Sequence, residues 1–266
     1  MRVGGRAKAL VLLVVTTGLL ATTASMVNAE LTASGNLFVT FDGAIQPDAL
    51  PRDERAPVSV WVAGRVRTLS GEKPPSLRKI TIGLNRDGKL GTVGLPTCRK
   101  GEIDLATSAE ALAACRDALV GTGTYRARTT FPEQSQTPSH GRLLAFNAVM
   151  GGKSVILGHV YGSDPAPSTG IVVFDIERTK GTFGTILTGT MPESLTRWGY
   201  LKRISLRLQR VYTYRGERRS YLSAPCRAPK GLGQATFKLA FVSMLFDDGR
   251  TLSAKLTRTC RVKGAS

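Results

Sequence analysis

The residue types that carry most protein chemistry are sparse in this chain, which has four cysteines and two histidines. The cysteines are Cys98, Cys115, Cys226 and Cys260. They could form a reactive dithiol, ligate zinc or form disulfide bonds. No pair has the C-x-x-C spacing and the two histidines add little ligation, so a zinc site is disfavoured. Their even number favours two disulfides if the chain is exported to an oxidising compartment.

A histidine, a serine and an aspartate lie close together in the stretch HVYGSDP. Ser163 and Asp164 follow His159 by a few residues, and these three types can act as nucleophile, acid and base. The G-x-S-x-G elbow that exposes a hydrolase serine is absent, however. His159 also shares strand parity with Val155 and Leu157, so we expect it on a buried face. The following GSDPAPSTG is typical of a turn-rich loop.

Two carboxylates in the stretch VVFDIER could do acid–base chemistry. Asp175 and Glu177 lie on one face of a predicted strand, about 6.5 to 7 Å apart along the backbone. Paired carboxylates hydrolyse glycosides, so one possible function is an extracellular hydrolase that acts on polysaccharide. The neighbouring Arg178 and Lys180 are also typical of an ordinary solvated strand face.

No motif in the chain points to a cofactor or a metal. The phosphate-binding P-loop and the dinucleotide fingerprint are absent. Asp247, Asp248 and Gly249 are typical of a hairpin turn, and no further carboxylates follow to complete a calcium loop. We therefore expect no cofactor and no metal, and the chain carries no dedicated nucleic-acid-binding motif.

A strongly basic segment is the main candidate for binding. The chain has 37 Lys and Arg against 19 Asp and Glu, which gives a net charge of +18. Residues 197–230 hold ten basic residues and one acid, interleaved with aromatic side chains. Charge combined with stacking suits an anionic polymer, whereas a charged hairpin edge also protects a sheet from aggregation. The candidate binding residues are Arg203, Arg207, Arg215, Arg218, Arg219, Tyr212 and Tyr214.

Residues 1–29 have the pattern of a secretory signal peptide. Arg2, Arg6 and Lys8 precede an apolar run, and the small residue Ala29 ends the polar stretch VNA. An uncleaved anchor is the alternative, although the run is shorter than the roughly 20 residues that span a bilayer. Cleavage after Ala29 would remove three basic residues and lower the net charge from +18 to +15. We therefore expect a secreted or extracytoplasmic protein with no transmembrane segment after cleavage.

The rest of the chain alternates apolar and polar residues with a period of two. The stretches VSVWVAGRV, ITIGL and ISLRL each place their aliphatic residues on one face. FKLAFVSMLF places Phe237, Leu239, Phe241 and Leu245 on one side. Gly-, Pro- and Ser-rich breaks separate these half-buried strands. The pattern predicts an all-β fold of antiparallel β-sandwiches.

One short helix is inserted among the strands near residues 107–120. Thr107 is its predicted N-cap, and Glu110 completes a capping box. Cys115 lies on the apolar face of this helix, which points it toward the body of the protein and away from solvent. Gly121 and Gly123 are expected to end the helix.

Two stretches of the chain resemble each other. LRKITIGLNR at 77–86 and LKRISLRLQR at 201–210 share one residue pattern, and each leads through a hairpin to a Cys-Arg pair. We interpret them as an internal repeat with the helix inserted in the first copy, and chance convergence is the alternative. The predicted halves are residues 30–150 and 151–266, which could form one large sandwich. Of three possible disulfide connectivities, the repeat makes Cys98–Cys115 and Cys226–Cys260 the simplest.

Several longer motifs resemble those of a family of secreted bacterial proteins without an assigned activity. They are FDGAIQPDALPRDERAPVSVWVAGRV, LRKITIGLNRDG, GLPTC, ACRDALVGTG, GRLLAFNA, GTFGTILTGTMP and YLSAPC. The resemblance spans nearly all of the chain after the signal peptide. It implies export and assigns no activity, fold or site residue.

These observations predict a non-enzymatic binding or structural protein of the cell envelope. Its basic hairpin would engage an anionic envelope polymer or surface, because a high positive charge favours polyanions outside the cell. The alternative function is the polysaccharide hydrolase that uses Asp175 and Glu177.

Overall fold

The protein is described by a computed structural model that covers residues 29–264, so the predicted signal peptide lies outside the described residues, except for Ala29. Strands make up most of the described chain, and its few helices are short. The predicted all-β fold is confirmed. Within residues 29–264, no helix is long and apolar enough to cross a membrane.

The elements of the described chain are numbered in sequence order. The strands are β1 (Glu30–Ser34), β2 (Leu37–Gln46), β3 (Ala49–Leu50), β4 (Ala56–Pro57), β5 (Ser59–Thr68), β6 (Leu77–Asn85), β7 (Lys89–Leu90), β8 (Leu119–Thr129), β9 (Thr137–Met150), β10 (Lys153–Gly162), β11 (Ser168–Arg178), β12 (Phe183–Thr190), β13 (Gly199–Leu208), β14 (Val211–Tyr214), β15 (Glu217–Ser220), β16 (Leu222–Ala224), β17 (Gln234–Phe246) and β18 (Thr251–Val262). The α-helices are α1 (Lys100–Ile103), α2 (Ser108–Cys115) and α3 (Glu193–Thr196).

Thirteen of the strands form one continuous sheet, in the order β1-β2-β5-β13-β8-β9-β10-β11-β12-β6-β17-β18-β3. Neighbours in it are antiparallel except for the parallel pair β18 and β3. Two small sheets, β14-β15 and β4-β16-β7, lie beside it. The large sheet curls until its inner faces meet, and a side chain at Gly64 of β5 would touch Met244 of β17. The two layers of the fold therefore belong to one sheet.

An arginine joins the far ends of the curled sheet. Arg258 of β18 donates to Glu30 of β1 at 2.8 Å and to Asp42 of β2 at 3.0 Å. Its Nε also donates to the carbonyl of Gly43. Because the guanidinium group is mostly buried, these charge-assisted bonds hold β18 against β1 and β2.

Strands β5, β6 and β13 alternate as the sequence predicts, but β17 departs from the prediction. A bulge between Lys238 and Ala240 shifts the register of β17 against β18. After the bulge the inward positions change from odd to even numbers, so Met244 is buried. Phe241 and Leu245, which were expected to share the inner face, turn away from it.

The inserted helix forms with the predicted cap and ends earlier than predicted. Thr107 Oγ accepts the amide of Glu110 at 3.3 Å, and the Glu110 carboxylate accepts the amide of Thr107 at 2.8 Å. The helix ends at Cys115 and a 3-10 turn follows. Gly121 and Gly123 lie within β8, where they allow the backbone of β13 to approach closely.

Both predicted disulfide bonds are present. Cys98 is bonded to Cys115, and Cys226 to Cys260. The first fixes α2 to the chain that enters the insertion, and the second ties the segment after the β14–β15 hairpin to β18. The loop-closure relation assigns them stabilising contributions of about 3 and 4 kcal/mol. No described cysteine is free.

The helical insertion covers part of the outer face of β9, β10 and β11. Phe146, Leu157 and Ile171 are buried there against α1 and α2, in a core separate from the main one. The covered parts of β9 and β10 are therefore buried on both faces, which explains why LLAFNA and VILGHV show little polar alternation.

Strands β6 and β13 occupy corresponding places in the sheet. Strand β13 lies between β5 and β8, and β6 lies between β12 and β17. Each therefore pairs with strands from the other predicted half. In the cross-strand register, Ile204 of β13 faces Gly64, and Ile80 of β6 faces Gly189. This correspondence supports the internal repeat.

Candidate functional site

Three arginines from distant parts of the chain form one row on the outer face of the sheet. Arg203 of β13 lies directly opposite Arg65 of β5 on one side and Arg126 of β8 on the other. All three side chains are exposed. Residues paired in this way have Cα atoms about 4.5 to 5.5 Å apart. The Cα atoms of the three arginines therefore span about 10 Å.

Further cations surround this row. Lys202 lies in the bulge of β13 beside Arg203, and Arg67 lies two residues beyond Arg65 with its guanidinium over the Phe38 ring at 5.3 Å. Arg142 is exposed on β9, the strand next to β8. We define the basic face as Arg65, Arg67, Arg126, Arg142, Lys202 and Arg203.

The charges of the row are not balanced by acids in the described part of the chain. None of the ion pairs among residues 29–264 involves Arg65, Arg126 or Arg203. The acid on the outer face of nearby β2, Asp42, is bound by Arg258. Like charges directly opposite each other destabilise a sheet. The row therefore costs stability that a bound anion would restore.

Edge protection does not explain this row. Charged residues blunt an exposed strand edge by discouraging pairing with another chain. Strands β5, β13 and β8, however, are interior strands of the sheet with a hydrogen-bonded partner on both sides. The sequence-based alternative of a protective charged edge therefore does not apply to Arg203.

Arg207 and a tryptophan extend the basic face toward a polar depression. Trp61 of β5 lies opposite Arg207, whose guanidinium donates to Gln46 Oε1 and Ser59 Oγ, both at 3.0 Å. At this end of the strands lies a depression of about 500 Å³. Its polar lining comprises Gln46, Ser59, Thr122, Gln209 and Arg210. The half-buried Trp61 thus stands where a ring could stack beside a bound charge.

The two tyrosines of the predicted binding hairpin are engaged within the protein. Tyr212 donates its hydroxyl to the carbonyl of Val93 at 2.9 Å, and burial raises its pKa. The Tyr214 ring covers Gly94, where any side chain would clash with it. These contacts anchor the β14–β15 hairpin to the segment after β7.

The arginines of the hairpin lie around the Tyr214 ring. The guanidinium groups of Arg215 and Arg219 are 5.2 and 5.4 Å from its centre. Arg219 also pairs with Glu217 at 2.8 Å, whereas Arg218 is exposed. The structure therefore separates the predicted residues into two groups, with Arg203 and Arg207 on the large sheet and the others on the small one.

The two carboxylates of the hydrolase alternative lie on the outer face of β11. Asp175 and Glu177 are exposed, and neither lines the polar depression or the interior of the sheet. Neither residue lines a cavity that is described here, and the hydrolase function stays a prediction.

The histidine and the serine of the possible triad lie in different environments, one buried and the other exposed. His159 is fully buried, and its Nε2 lies 2.9 Å from the carbonyl oxygen of Ala106. Ser163 is exposed and donates to Asp164 at 2.9 Å. The expected buried position of His159 is confirmed, and the ring is held by the insertion.

One cluster has the composition of a metal site. Cys98, Glu102 and Cys115 place two sulfurs and a carboxylate within 4.8 Å of one another. The two sulfurs are bonded to each other, so neither can serve as a thiolate ligand. The cluster is accounted for by the disulfide.

Comparisons with protein-family models, curated proteins and solved structures found no match to this chain. The resemblance to a family of secreted bacterial proteins therefore stays a prediction.

Sequence reasoning missed most of the basic face. Arg65 and Arg126 lie outside the charge-rich segment 197–230 and become neighbours of Arg203 only through strand pairing. The one available signal was that each occupies a polar position in an alternating stretch.

Proposed function

We propose that this protein is an exported, non-enzymatic binding protein of the cell envelope that holds an anionic polymer on the basic face. The observation that carries the proposal is the row formed by Arg65, Arg203 and Arg126, which lies on interior strands without a counter-charge. Repulsion within the row lowers stability, and no acid in the described chain offsets it. An external anion is therefore the simplest reason for the row.

The shape of this surface favours an extended polymer over a small ion. From Arg203 to Arg207 the strand advances about 13 Å, and the row is about 10 Å wide. A chain with regularly spaced phosphates or carboxylates could meet the row first and then continue along β13. Trp61 and the polar depression would receive its uncharged parts, such as sugar rings.

The test compares two triple variants that remove the same charge. The first replaces Arg65, Arg126 and Arg203 with Gln. The second replaces Arg78, Arg86 and Arg116, three exposed arginines elsewhere on the surface. Binding of linear polyphosphate and of polygalacturonate would be measured by calorimetry at several salt concentrations.

We expect the first triple to weaken binding by about tenfold or more and the second to have little effect. The slope of log affinity against log salt should fall by about 2 in the first triple, since each neutralised charge contributes about 0.7 on a flexible strand. Equal effects of the two triples would show that only the net charge matters. Absence of salt-dependent binding to both polymers would remove the proposal.

A further inference from the structure

The core inside the curled sheet contains a cavity. A cavity of about 170 Å³ lies between its inner faces, and ten of the strands contribute to its wall. An apolar cavity of about 150 Å³ is large enough to stay dry and bind benzene. Close packing normally leaves few voids larger than a water molecule. A space of this size in the main core is therefore large enough to hold an apolar group.

The wall of this cavity is almost entirely apolar. No charged residue of the described chain lines it, and its few polar members are Tyr125, Tyr200 and Thr196. The Tyr200 hydroxyl donates to Gln136 at 2.7 Å, so it is already satisfied. The wall can therefore make dispersion and hydrophobic contacts, and it provides no charge to pair with an ion. These properties favour the hydrocarbon part of a ligand.

Inward side chains of the opposite walls keep accessible surface. Val62 of β5 and Leu206 of β13 face the cavity from one layer, and Ile82 of β6 faces it from the other. All three are only half-buried, although their positions point them into the core. Their free surface is what a bound apolar molecule would cover.

A second cavity continues the first toward a more polar end. It measures about 190 Å³ and shares Val60 and Leu84 with the first. Its lining also includes Asn85, Lys89 and Thr236, near the small β4-β16-β7 sheet. The two cavities are neighbours at these shared residues, so the second places polar groups beyond one end of the apolar space.

We infer that the interior binds a single-chain lipid-class amphiphile, with its hydrocarbon chain between the two layers and its head group at the polar end. A slender chain fits a narrow space that many strands share, whereas a bulky ring system does not. The site is separate from the basic face, which lies on the outside of the sheet.

The experiment titrates the purified full chain with the fluorescent single-chain fatty acid cis-parinaric acid, followed by displacement with hexadecanoic acid. Val62→Trp fills the cavity from its wall, and Ala114→Trp adds the same group to the exposed face of α2. We expect saturable binding of about one probe per chain, displacement by the fatty acid, and at least a tenfold weaker affinity in Val62→Trp alone.

Leu206→Ala guards against a failure of Val62→Trp to fold, because it enlarges the same space and should retain or strengthen probe binding. Replacement of Arg65, Arg126 and Arg203 with Gln should leave probe binding unchanged, which separates this inference from the proposed polymer binding. Non-saturable probe binding, equal affinity in Val62→Trp and Ala114→Trp, or loss of binding in Leu206→Ala would overturn the inference.

Discussion

The carbonyl oxygen of Ala106 receives two side chains from the large sheet. Thr169 Oγ donates to it at 3.0 Å, and His159 Nε2 lies 2.9 Å from it. Because a carbonyl can only accept, Nε2 carries the proton. Nδ1 is buried with no hydrogen-bond partner among the described residues, and burial favours the neutral ring. The buried ring lies between Leu144 and Ile171 of the neighbouring strands. These two bonds fix the loop between α1 and α2 onto β10 and β11.

Burial of His159 makes the stability of the protein depend on pH. Burial lowers the pKa of the ring below its ordinary value of 6.5, whereas in the unfolded chain it titrates near 6.5. The stabilisation is therefore complete above pH 6.5 and is lost as the pH falls through 6.5 toward the folded pKa. We expect the free energy of unfolding, measured with urea, to fall between pH 7 and 5 with a limiting slope of about 1.4 kcal/mol per pH unit.

His159→Gln keeps a donor near Ala106 and removes the titration. This variant should lose stability at pH 7 and show a much flatter pH dependence between pH 7 and 5. His140, which is exposed, provides the matched control, and His140→Gln should follow the wild-type curve. An unchanged slope in His159→Gln would mean that other groups cause the pH dependence.

At the scale of elements, the main feature is the exchange of β6 and β13 between the two predicted halves. Read along the sheet, β1-β2-β5-β13-β8-β9 is followed by β10-β11-β12-β6-β17-β18. The first series takes only β13 from the second half of the chain, and the second series takes only β6 from the first. Cross-strand pairs at corresponding positions of the two series also match. Phe41 of β2 lies opposite Gly64 of β5, and Phe174 of β11 lies opposite Gly189 of β12.

The exchange predicts that neither half folds without the other. Residues 30–150 lack β13, so β5 and β8 would each lose the partner on one side, and residues 151–266 lack β6 between β12 and β17. Each fragment contains one complete disulfide pair and can be prepared oxidised. We expect poorly dispersed NMR spectra from each fragment alone and a native-like spectrum after the two are refolded together.

A chain cut in the turn at Gly151–Gly152 after folding is the control, and it should retain its spectrum. Independent folding of residues 30–150 would contradict the exchange and favour two separate halves.

The parts of this fold that follow from local patterns could be predicted from sequence. Alternation identified β5, β6, β13 and β17, the Thr107 capping box identified α2, and cysteine spacing within the repeat identified both disulfides. The bulge in β17 could not be predicted, since one unpaired residue reverses the face of every later side chain. The length of α2 was overestimated because Gly121 and Gly123 were expected to end the helix. In the structure these glycines lie in β8 and allow the backbone of β13 to approach closely.

At the scale of the whole molecule, the positive charges that cluster in the folded sheet are not the ones that cluster in the sequence. The sequence concentrates positive charge in residues 197–230, and this predicted a basic hairpin. In the structure, Tyr212 and Tyr214 of the hairpin make contacts that anchor it to the rest of the protein. The row of arginines without a counter-charge comes from three separate segments of the chain. Cross-strand neighbours that are more than 60 residues apart leave no local signature, so this part of the candidate site required the structure.

The most direct test of the basic face is to locate a bound anion by NMR. Linear polyphosphate would be added to ¹⁵N-labelled protein at low salt. We expect amide shift changes centred on β5, β13 and β8, including Thr124 and Ser205, and their loss when Arg65, Arg126 and Arg203 are replaced with Gln. Changes centred on the β14–β15 hairpin, or spread evenly over exposed arginines such as Arg78 and Arg86, would contradict it.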